Sequence, residues 1–195
     1  MLKTNYIGVV LIILLCALAG SAQKAPRGSA QGGAKKETTL DFNQTQYLHR
    51  WSQNDQHEFT PQHQEDLSKW IDMITINVYR QVKDGGGLAA VANQVLENYK
   101  SHRGIVIKTD SVPAAAGRPA EHLIVVVLGT PGFLEAVQAR FKLINGKGAA
   151  IIHSHRVYGK EVGNEMSEWL KLNGQSLEKT LMSWDPPPSL SSLGL

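Results

Sequence analysis

The chain has 195 residues, of which 42% are hydrophobic, 19% charged and 7% aromatic, and it contains a single cysteine. This apolar fraction is enough for a hydrophobic core and excludes a wholly disordered chain. One cysteine excludes a disulfide framework and a cysteine-based metal cage. The net charge is +3, but residues 1–39 contain five basic and one acidic side chain, so the remainder is close to neutral. We therefore expect no nucleic-acid partner, since such domains concentrate cations on their folded surface.

The N-terminus has the layout of a secretory signal peptide. Lys3 precedes an apolar run from Ile7 to about Gly20, and small residues follow. At roughly 14 residues the run is shorter than the ~20 that a membrane-spanning helix needs, so we predict cleavage rather than retention as an anchor. Residues 1–22 are the predicted signal peptide, cleaved after Ala22, with Ala19 as the alternative, because the peptidase accepts small side chains. The mature protein is predicted to be periplasmic or secreted.

Two segments outside the predicted domain lack hydrophobic periodicity. Residues 23–39 combine Gly, Ala, Ser, Gln and Lys and predict a flexible basic linker, whose cations would make weak contacts with a membrane surface or the cell wall. Residues 185–195 begin with Asp185 and three prolines, which end the last predicted helix, and predict a disordered Pro/Ser-rich tail. Residues 40–184 remain as a single predicted folded domain.

The first half of that domain predicts strands on either side of a helix. Alternating apolar residues predict a half-buried strand over 75–82, preceded by a short strand at 56–60. Residues 88–99 place apolar side chains at i, i+3, i+4 and i+7, which predicts an amphipathic helix, with Gly104 as its C-terminal glycine. Residues 105–109 predict the next strand.

The second half predicts a long hairpin. Residues 123–128 are apolar on both faces, as in a central, covered strand. Residues 133–144 fit a helix or a strand, but Asn145-Gly146 lies between them and a second β-like run, 149–158. This arrangement favours a hairpin, because both central turn positions need a positive φ and Asn-Gly supplies it at low cost.

A final helix completes the predicted architecture. Its apolar stripe runs from Met166 to Trp184, and Asn164 is its predicted N-cap. The predicted fold class is α+β: an antiparallel β-sheet flanked by two main amphipathic helices, which together form an α/β/α sandwich.

This layout resembles the superfamily of the photosystem extrinsic protein PsbP and the bacterial envelope protein DcrB. The resemblance is carried by the strand 74–82 leading into the helix 88–99, by the hairpin from Phe141 through Asn145-Gly146-Lys147-Gly148 to Ser154, and by the closing helix 177–184. It covers about residues 55–184 and implies the sandwich fold. Members of the superfamily include adaptors, chaperone-like modules and assembly factors, and no catalytic motif comes with the resemblance.

One pair of residues has the spacing of a metal site. His153-Ser154-His155 places two imidazoles on one face of a predicted strand, about 6–7 Å apart by strand geometry. A His-x-His pair on a strand is a zinc-binding arrangement, and Glu121 or His122 on a neighbouring strand would supply a third ligand. The same spacing also arises on a solvated polar sheet face without any metal. We therefore expect no cofactor, with zinc at His153 and His155 as the alternative.

Five residues are candidates for binding a protein partner. Trp51 and Trp70 lie in a polar segment, where an exposed tryptophan would anchor a partner, although a core role is the alternative for both. Arg156, Tyr158 and Lys160 lie at or near the end of the last predicted strand and would form a rim for an acidic partner.

Since no catalytic set is recognised, we expect a non-enzymatic, exported binding or adaptor protein that engages another protein at the envelope. A toxin-immunity protein and an envelope assembly factor are concrete examples. Two alternatives stay open. A metal-dependent envelope enzyme using His153 and His155 would carry stoichiometric zinc, and a carrier of a small hydrophobic ligand would have a lined cavity between sheet and helices.

Overall fold

The computed structural model describes residues 38–193, so the predicted signal peptide, its cleavage after Ala22 and residues 23–37 of the predicted linker lie outside the described residues. The elements in chain order are β1 (Thr39–Phe42), β2 (Thr45–Gln53), β3 (Gln56–Pro61), β4 (Asp72–Tyr79), α1 (Gly85–Ser101), β5 (Ile105–Val112), β6 (Glu121–Thr130), β7 (Phe133–Ile144), β8 (Lys147–Tyr158), α2 (Val162–Ser183) and the 3-10 helix Pro188–Leu193. No helix within residues 38–193 is long and apolar enough to cross a membrane.

The eight strands form one antiparallel sheet in the order β1-β2-β3-β4-β8-β7-β6-β5. Strands β1 to β4 form one meander of sequence neighbours, and β5 to β8 form a second. The two meanders join where β4 pairs with β8, with Asp72 opposite His155 and Tyr79 opposite Gly148. All pairings in the sheet therefore join strands that follow each other along the chain, except the central pairing of β4 with β8.

The two helices cover opposite faces of the sheet, as the predicted α/β/α sandwich requires. On one face, Gln138 of β7 donates a hydrogen bond to the carbonyl of Gly174 in α2. Helix α1 packs against β5, β6 and β7, and Gly104, which follows it, comes close to Val126. Val126 is paired with Val137, which lies next to Gln138 in β7 and so points to the other face. The predicted α+β fold class is confirmed.

A hydrophobic core lies on the α2 side of the sheet. It unites side chains of the central strands with the apolar stripe of α2, and it includes Ile74, Ile76, Ile151, Leu177 and Leu181. On the other side, α1 buries the stripe that its spacing predicted: Leu88, Val91, Ala92 and Val95. The Asp84 carboxylate caps this helix by accepting a hydrogen bond of 2.7 Å from the Gly87 N–H.

Gly104 is required for a different reason from the one expected. The residue in the left-handed conformation after α1 is Arg103, with a φ of 61°. Gly104 is therefore not the residue that ends the helix in this conformation. A Cβ at position 104 would instead lie 2.8 Å from both the Tyr99 carbonyl oxygen and Val126 Cγ2. Close approach of helix and sheet therefore explains this glycine.

The β7–β8 hairpin confirms the strand interpretation of residues 133–144. Asn145 and Gly146 both have positive φ, at 49° and 70°. The strands β1 and β2 were not predicted, although β2 to β3 turns at another pair of left-handed residues, Asn54 and Asp55, with φ of 51° and 63°. Neither of these turn residues is glycine, so the sequence lacks the Asn-Gly or Asp-Gly pair that most strongly predicts a hairpin. Helix α2 begins at Val162, two residues before the predicted cap Asn164.

The disordered tail predicted for 185–195 is corrected for the described residues up to 193. They include a 3-10 helix, and Leu190 within it is fully buried in the α2-side core. The preceding Trp184 donates its indole N–H to the Asp41 carbonyl at 2.7 Å, which ties the end of α2 to β1. The Ser and Pro content suggested disorder, but Leu190 and Leu193 are spaced by one 3-10 turn and share one side.

Candidate functional site

The predicted histidine pair lies on the α2 side of the sheet. His153 and His155 are alternate residues of β8, so both side chains point to this face. Strand pairing places Ile74 of β4 opposite His153 and Asp72 opposite His155. The Phe42 ring lies 5.5 Å from the His153 ring, so β1 also contributes to these surroundings.

Asp72 joins the two histidines, and the sequence analysis missed it. Its Oδ1 accepts a hydrogen bond of 2.8 Å from His155 Nδ1 and lies 3.8 Å from His153 Nε2. We refer to Asp72, His153 and His155 as the His–Asp cluster. The contact follows from the pairing of β4 with β8. Asp72 precedes the predicted strand 75–82, so the sequence carried no sign of that pairing.

Trp169 of α2 covers the cluster. Its ring is parallel to that of His155, with the centroids 3.9 Å apart and an interplanar angle of 4°. The same ring lies 6.4 Å from His153, also at 4°. One flat indole therefore stacks over the cluster and holds the first turns of α2 against β8.

Burial keeps His153 neutral at ordinary pH. Loss of solvation lowers its pKa to about 4, Asp72 raises the pKa in part, and His155 lowers it. Its Nδ1 is buried without a hydrogen-bond partner in the described structure. A buried, uncharged imidazole of this kind costs stability when protons are added.

We expect acid to destabilise the protein through His153, by up to about 3 kcal/mol between pH 6.5 and 4. In the unfolded chain the group takes up a proton near its ordinary pKa of 6.5, whereas the folded chain does so only near 4. The stability is therefore fully present above pH 6.5 and is lost as the pH falls towards 4. Urea denaturation at pH 7.0 and 4.5 measures the loss.

The control for this prediction is a second histidine. His153→Phe should make the acid-dependent loss clearly smaller, whereas the same change at the exposed His102 should leave it in place. An unchanged pH dependence in His153→Phe would contradict the assignment.

The expectation that Glu121 or His122 supplies a third metal ligand is wrong. Glu121 forms a 2.7 Å ion pair with Arg140, and His122 Nδ1 lies 2.9 Å from the Ser111 hydroxyl, so neither joins the histidine pair. Within residues 38–193, no group of three or more His, Cys, Asp or Glu side chains is arranged to hold a metal ion. Zinc binding at His153 and His155 stays a prediction, and elemental analysis of the purified protein measures it.

Two of the predicted partner-binding residues are buried, which agrees with the alternative core role of Trp70 and corrects the expected exposure of Arg156. Trp70 is fully buried and Arg156 is 4% exposed. The Arg156 guanidinium lies 3.7 Å from the Trp70 ring centroid and donates from Nε to Glu135 at 2.8 Å. Its place near the end of the last predicted strand suggested a rim for an acidic partner, but the Arg156 side chain is instead enclosed between Glu135 and the Trp70 ring inside the protein.

The other three predicted residues remain at least partly accessible. Trp51 on β2 is half-buried, Tyr158 is 38% exposed, and Lys160 is exposed. The Tyr158 hydroxyl donates a hydrogen bond of 2.8 Å to the Trp70 carbonyl. A binding role for these three residues stays a prediction.

An accessible feature that the sequence analysis missed is the outer edge of β5. Within residues 38–193, no strand pairs with β5 on the side away from β6. Ile105 is 65% exposed and Ile107 is 54% exposed, which is unusual for isoleucine on a strand. A β-bulge lies between Val106 and Lys108. We call residues 105–112 the β5 edge.

A cleft lies beside this edge, between α1 and the strands β5 and β6. Its volume is about 320 Å³. The lining includes Asn93, Thr109, Ser111 and His122, so polar groups surround much of the opening. This lining differs from the apolar cavity that a carrier of a small hydrophobic ligand would have. The carrier function stays a prediction.

Comparison with known proteins gives structural matches only. No protein-family model and no curated protein matches the chain. One matching structure is the Ran-binding protein Mog1p of Saccharomyces cerevisiae, with 8% identity, a TM-score of 0.46, and coverage of 76% of this chain and 92% of that one. Another is PA94 of Pseudomonas aeruginosa, a protein of unknown function, with 13% identity, a TM-score of 0.43, and coverage of 78% and 98%. We draw no functional argument from likeness at this level.

Proposed function

We propose that this chain is an exported, non-enzymatic protein-binding module that receives an extended polypeptide segment along the β5 edge. The observation that carries the proposal is the edge itself: Ile105 and Ile107 are both more than half exposed, on a strand whose outer edge has no partner strand among residues 38–193. Its role would be that of an adaptor or assembly factor rather than a catalyst.

Strand addition suits this edge for two reasons. Every second residue of an edge strand directs its N–H and C=O groups outwards, and an added strand satisfies them. A partner strand would also cover the exposed isoleucines beside those groups, and removing their apolar surface from water favours binding. At the opposite edge, β1 has only four residues, and Trp184 occupies the Asp41 carbonyl. The β5 edge therefore has the longer stretch of backbone to offer.

Export is part of the same proposal and is supported by the sequence of residues 1–22. Lys3, the apolar run from Ile7 and the small residues up to Ala22 have the order of a cleavable signal peptide. N-terminal sequencing of protein from the producing cells should begin at Gln23. A mature chain that still begins at Met1 would remove export from the proposal.

Site-specific photo-crosslinking tests the binding surface directly. We expect a photoreactive phenylalanine analogue at position 107 to give discrete adducts with another polypeptide in intact envelopes. The matched control is position 172, because Leu172 is 82% exposed but belongs to helix α2 and not to a strand. Mass spectrometry of the adducts identifies the partner.

Two outcomes would contradict the proposal. One is the absence of adducts at position 107 when the labelled chain is folded and exported. The other is an identical adduct pattern at positions 107 and 172, which would indicate random collision rather than a defined surface.

A further inference from the structure

The β5 edge carries two opposite charges on one face. Lys108 is opposite Val125 and Asp110 is opposite Leu123, and both of these β6 residues belong to or adjoin the α2 side of the sheet. Lys108 Nζ lies 3.3 Å from Asp110 Oδ2 and 2.6 Å from Glu178 Oε1 of α2. Both charged side chains of β5 are substantially exposed, at 42% and 56%. A strand added to this edge will therefore meet an ordered pair of charges.

This pair of charges specifies the strand that fits. In an antiparallel pairing, directly opposite side chains lie about 4.5–5.5 Å apart, so opposite charges attract and like charges repel. The added strand needs an acidic residue opposite Lys108 and a basic residue opposite Asp110. In that strand's own chain direction, the required order is basic, any residue, acidic.

The β5 strand itself has this order: Lys108, Thr109, Asp110. We propose that the segment received by the β5 edge is β5 of a second copy of this chain, antiparallel, with the two-fold axis at Thr109. The inference rests on the proposed function and names the partner at that same edge. Lys108 of each copy then faces Asp110 of the other, which forms two cross-strand ion pairs in a self-complementary interface.

The same charges exclude the neighbouring registers. A symmetric antiparallel pairing can shift only in steps after which the N–H and C=O groups that point towards the second copy still face those of that copy. One step in one direction places Lys108 opposite Lys108 of the second copy, and one step in the other places Asp110 opposite Asp110. Both neighbouring registers set like charges against each other, so the charges select the register centred on Thr109.

Local structure limits the length of the pairing. The bulge at Ile107 interrupts regular pairing at one end, and Pro113, which has no N–H to donate, follows the strand at the other. Regular contact therefore centres on residues 108–110 of each copy, with the bulged Ile107 opposite Ser111 at either end of the ladder. Such a short ladder predicts a dimer in exchange with the monomer rather than a permanent assembly.

A charge-exchange experiment tests the ion pairs. Lys108→Asp and Asp110→Lys each place like charges opposite in a homodimer, and each should weaken self-association about tenfold in sedimentation velocity. An equimolar mixture of the two variants restores opposite charges at both positions and should recover the wild-type dimer fraction. Circular dichroism confirms that each variant is folded. A mixture no more associated than its components would overturn the proposal.

A disulfide experiment tests the register. In the full chain carrying Cys16→Ser, Thr109→Cys places two thiols directly opposite each other, at a Cα separation that a disulfide spans. Ser111→Cys is the matched control on the same strand, because in this register its two copies lie roughly 13 Å apart. We expect mild oxidation to give covalent dimer at least about tenfold faster for Thr109→Cys.

The outcomes separate this inference from the proposed function. Equal or absent cross-linking of the two cysteine variants overturns self-pairing. If the chain is then monomeric but position 107 still captures a different protein, the binding function stands and only the identity of the strand is wrong. If position 107 captures nothing, both proposals fail.

Discussion

Replacing Arg156 by alanine is expected to lower the free energy of unfolding by about 3–5 kcal/mol. The Arg156 and Glu135 side chains are only 3% and 12% exposed, so the substitution leaves a carboxylate inside the protein without its counter-ion. It also removes the guanidinium that lies 3.7 Å from the Trp70 ring centroid and 4.3 Å from that of Phe133. Chemical denaturation followed by tryptophan fluorescence measures the loss.

The control for Arg156→Ala is a more exposed arginine–carboxylate pair in the same protein. Arg80 forms two hydrogen bonds with Asp55, at 2.8 and 2.6 Å, but the two side chains are 48% and 35% exposed. Arg80→Ala should therefore cost much less stability than Arg156→Ala. If Arg156→Ala fails to fold, Arg156→Lys still tests the idea, because it keeps the charge and loses the planar stacking. Equal costs at positions 80 and 156 would show that burial of the pair contributes nothing.

Arg140→Ala is expected to have a similarly large effect, about 3–5 kcal/mol, through the attachment of α2. Arg140 Nε donates to Glu121 at 2.7 Å, and Nη1 donates to the carbonyls of Leu181 and Trp184 at 2.9 and 2.6 Å. The substitution leaves the carbonyls at the end of the helix and a buried carboxylate unsatisfied. Denaturation measures the total loss, and hydrogen exchange should show faster opening of the last turn of α2.

Lys142, two residues further along β7, is the matched control for Arg140. It pairs with Asp185, whose side chain is 76% exposed. Lys142→Ala should cost no more than about 1 kcal/mol, and exchange in the last turn of α2 should stay close to wild type. Loss of protection in both variants alike would mean that the end of α2 depends on general charge rather than on the buried guanidinium.

The elements that could be predicted from sequence are those with a strong local signal. Asn145-Gly146 separated two β-like runs and settled an ambiguous stretch as a strand, as the structure confirms. Helix α1 followed from the spacing of Leu88, Val91 and Val95. Strand β2 was missed because it is half-exposed, contains a bulge near Arg50, and ends in a turn without glycine.

The candidate site could be predicted only in part, because its other members depend on strand pairing. Alternation along β8 correctly placed His153 and His155 on one face. Asp72 reaches them only because β4 is adjacent to β8, and such long-range pairing has no local signature. The exposure of Ile107 depends likewise on β5 being the last strand of the sheet. Sequence periodicity reports which side of a strand is apolar but not where that strand lies in the sheet.

The order of the strands has a consequence for folding kinetics. Within each meander, contacts join residues that are near in sequence, so each can form with a low contact order. The junction of β4 with β8 closes a loop of roughly 70 residues, at an entropic cost of about 4 kcal/mol. We therefore expect the transition state to lie at the zipping of this junction, with Ile74 and Ile151 among the residues of highest φ-value. The burial of Leu190 would come later, because the tail needs both halves in place before it can pack.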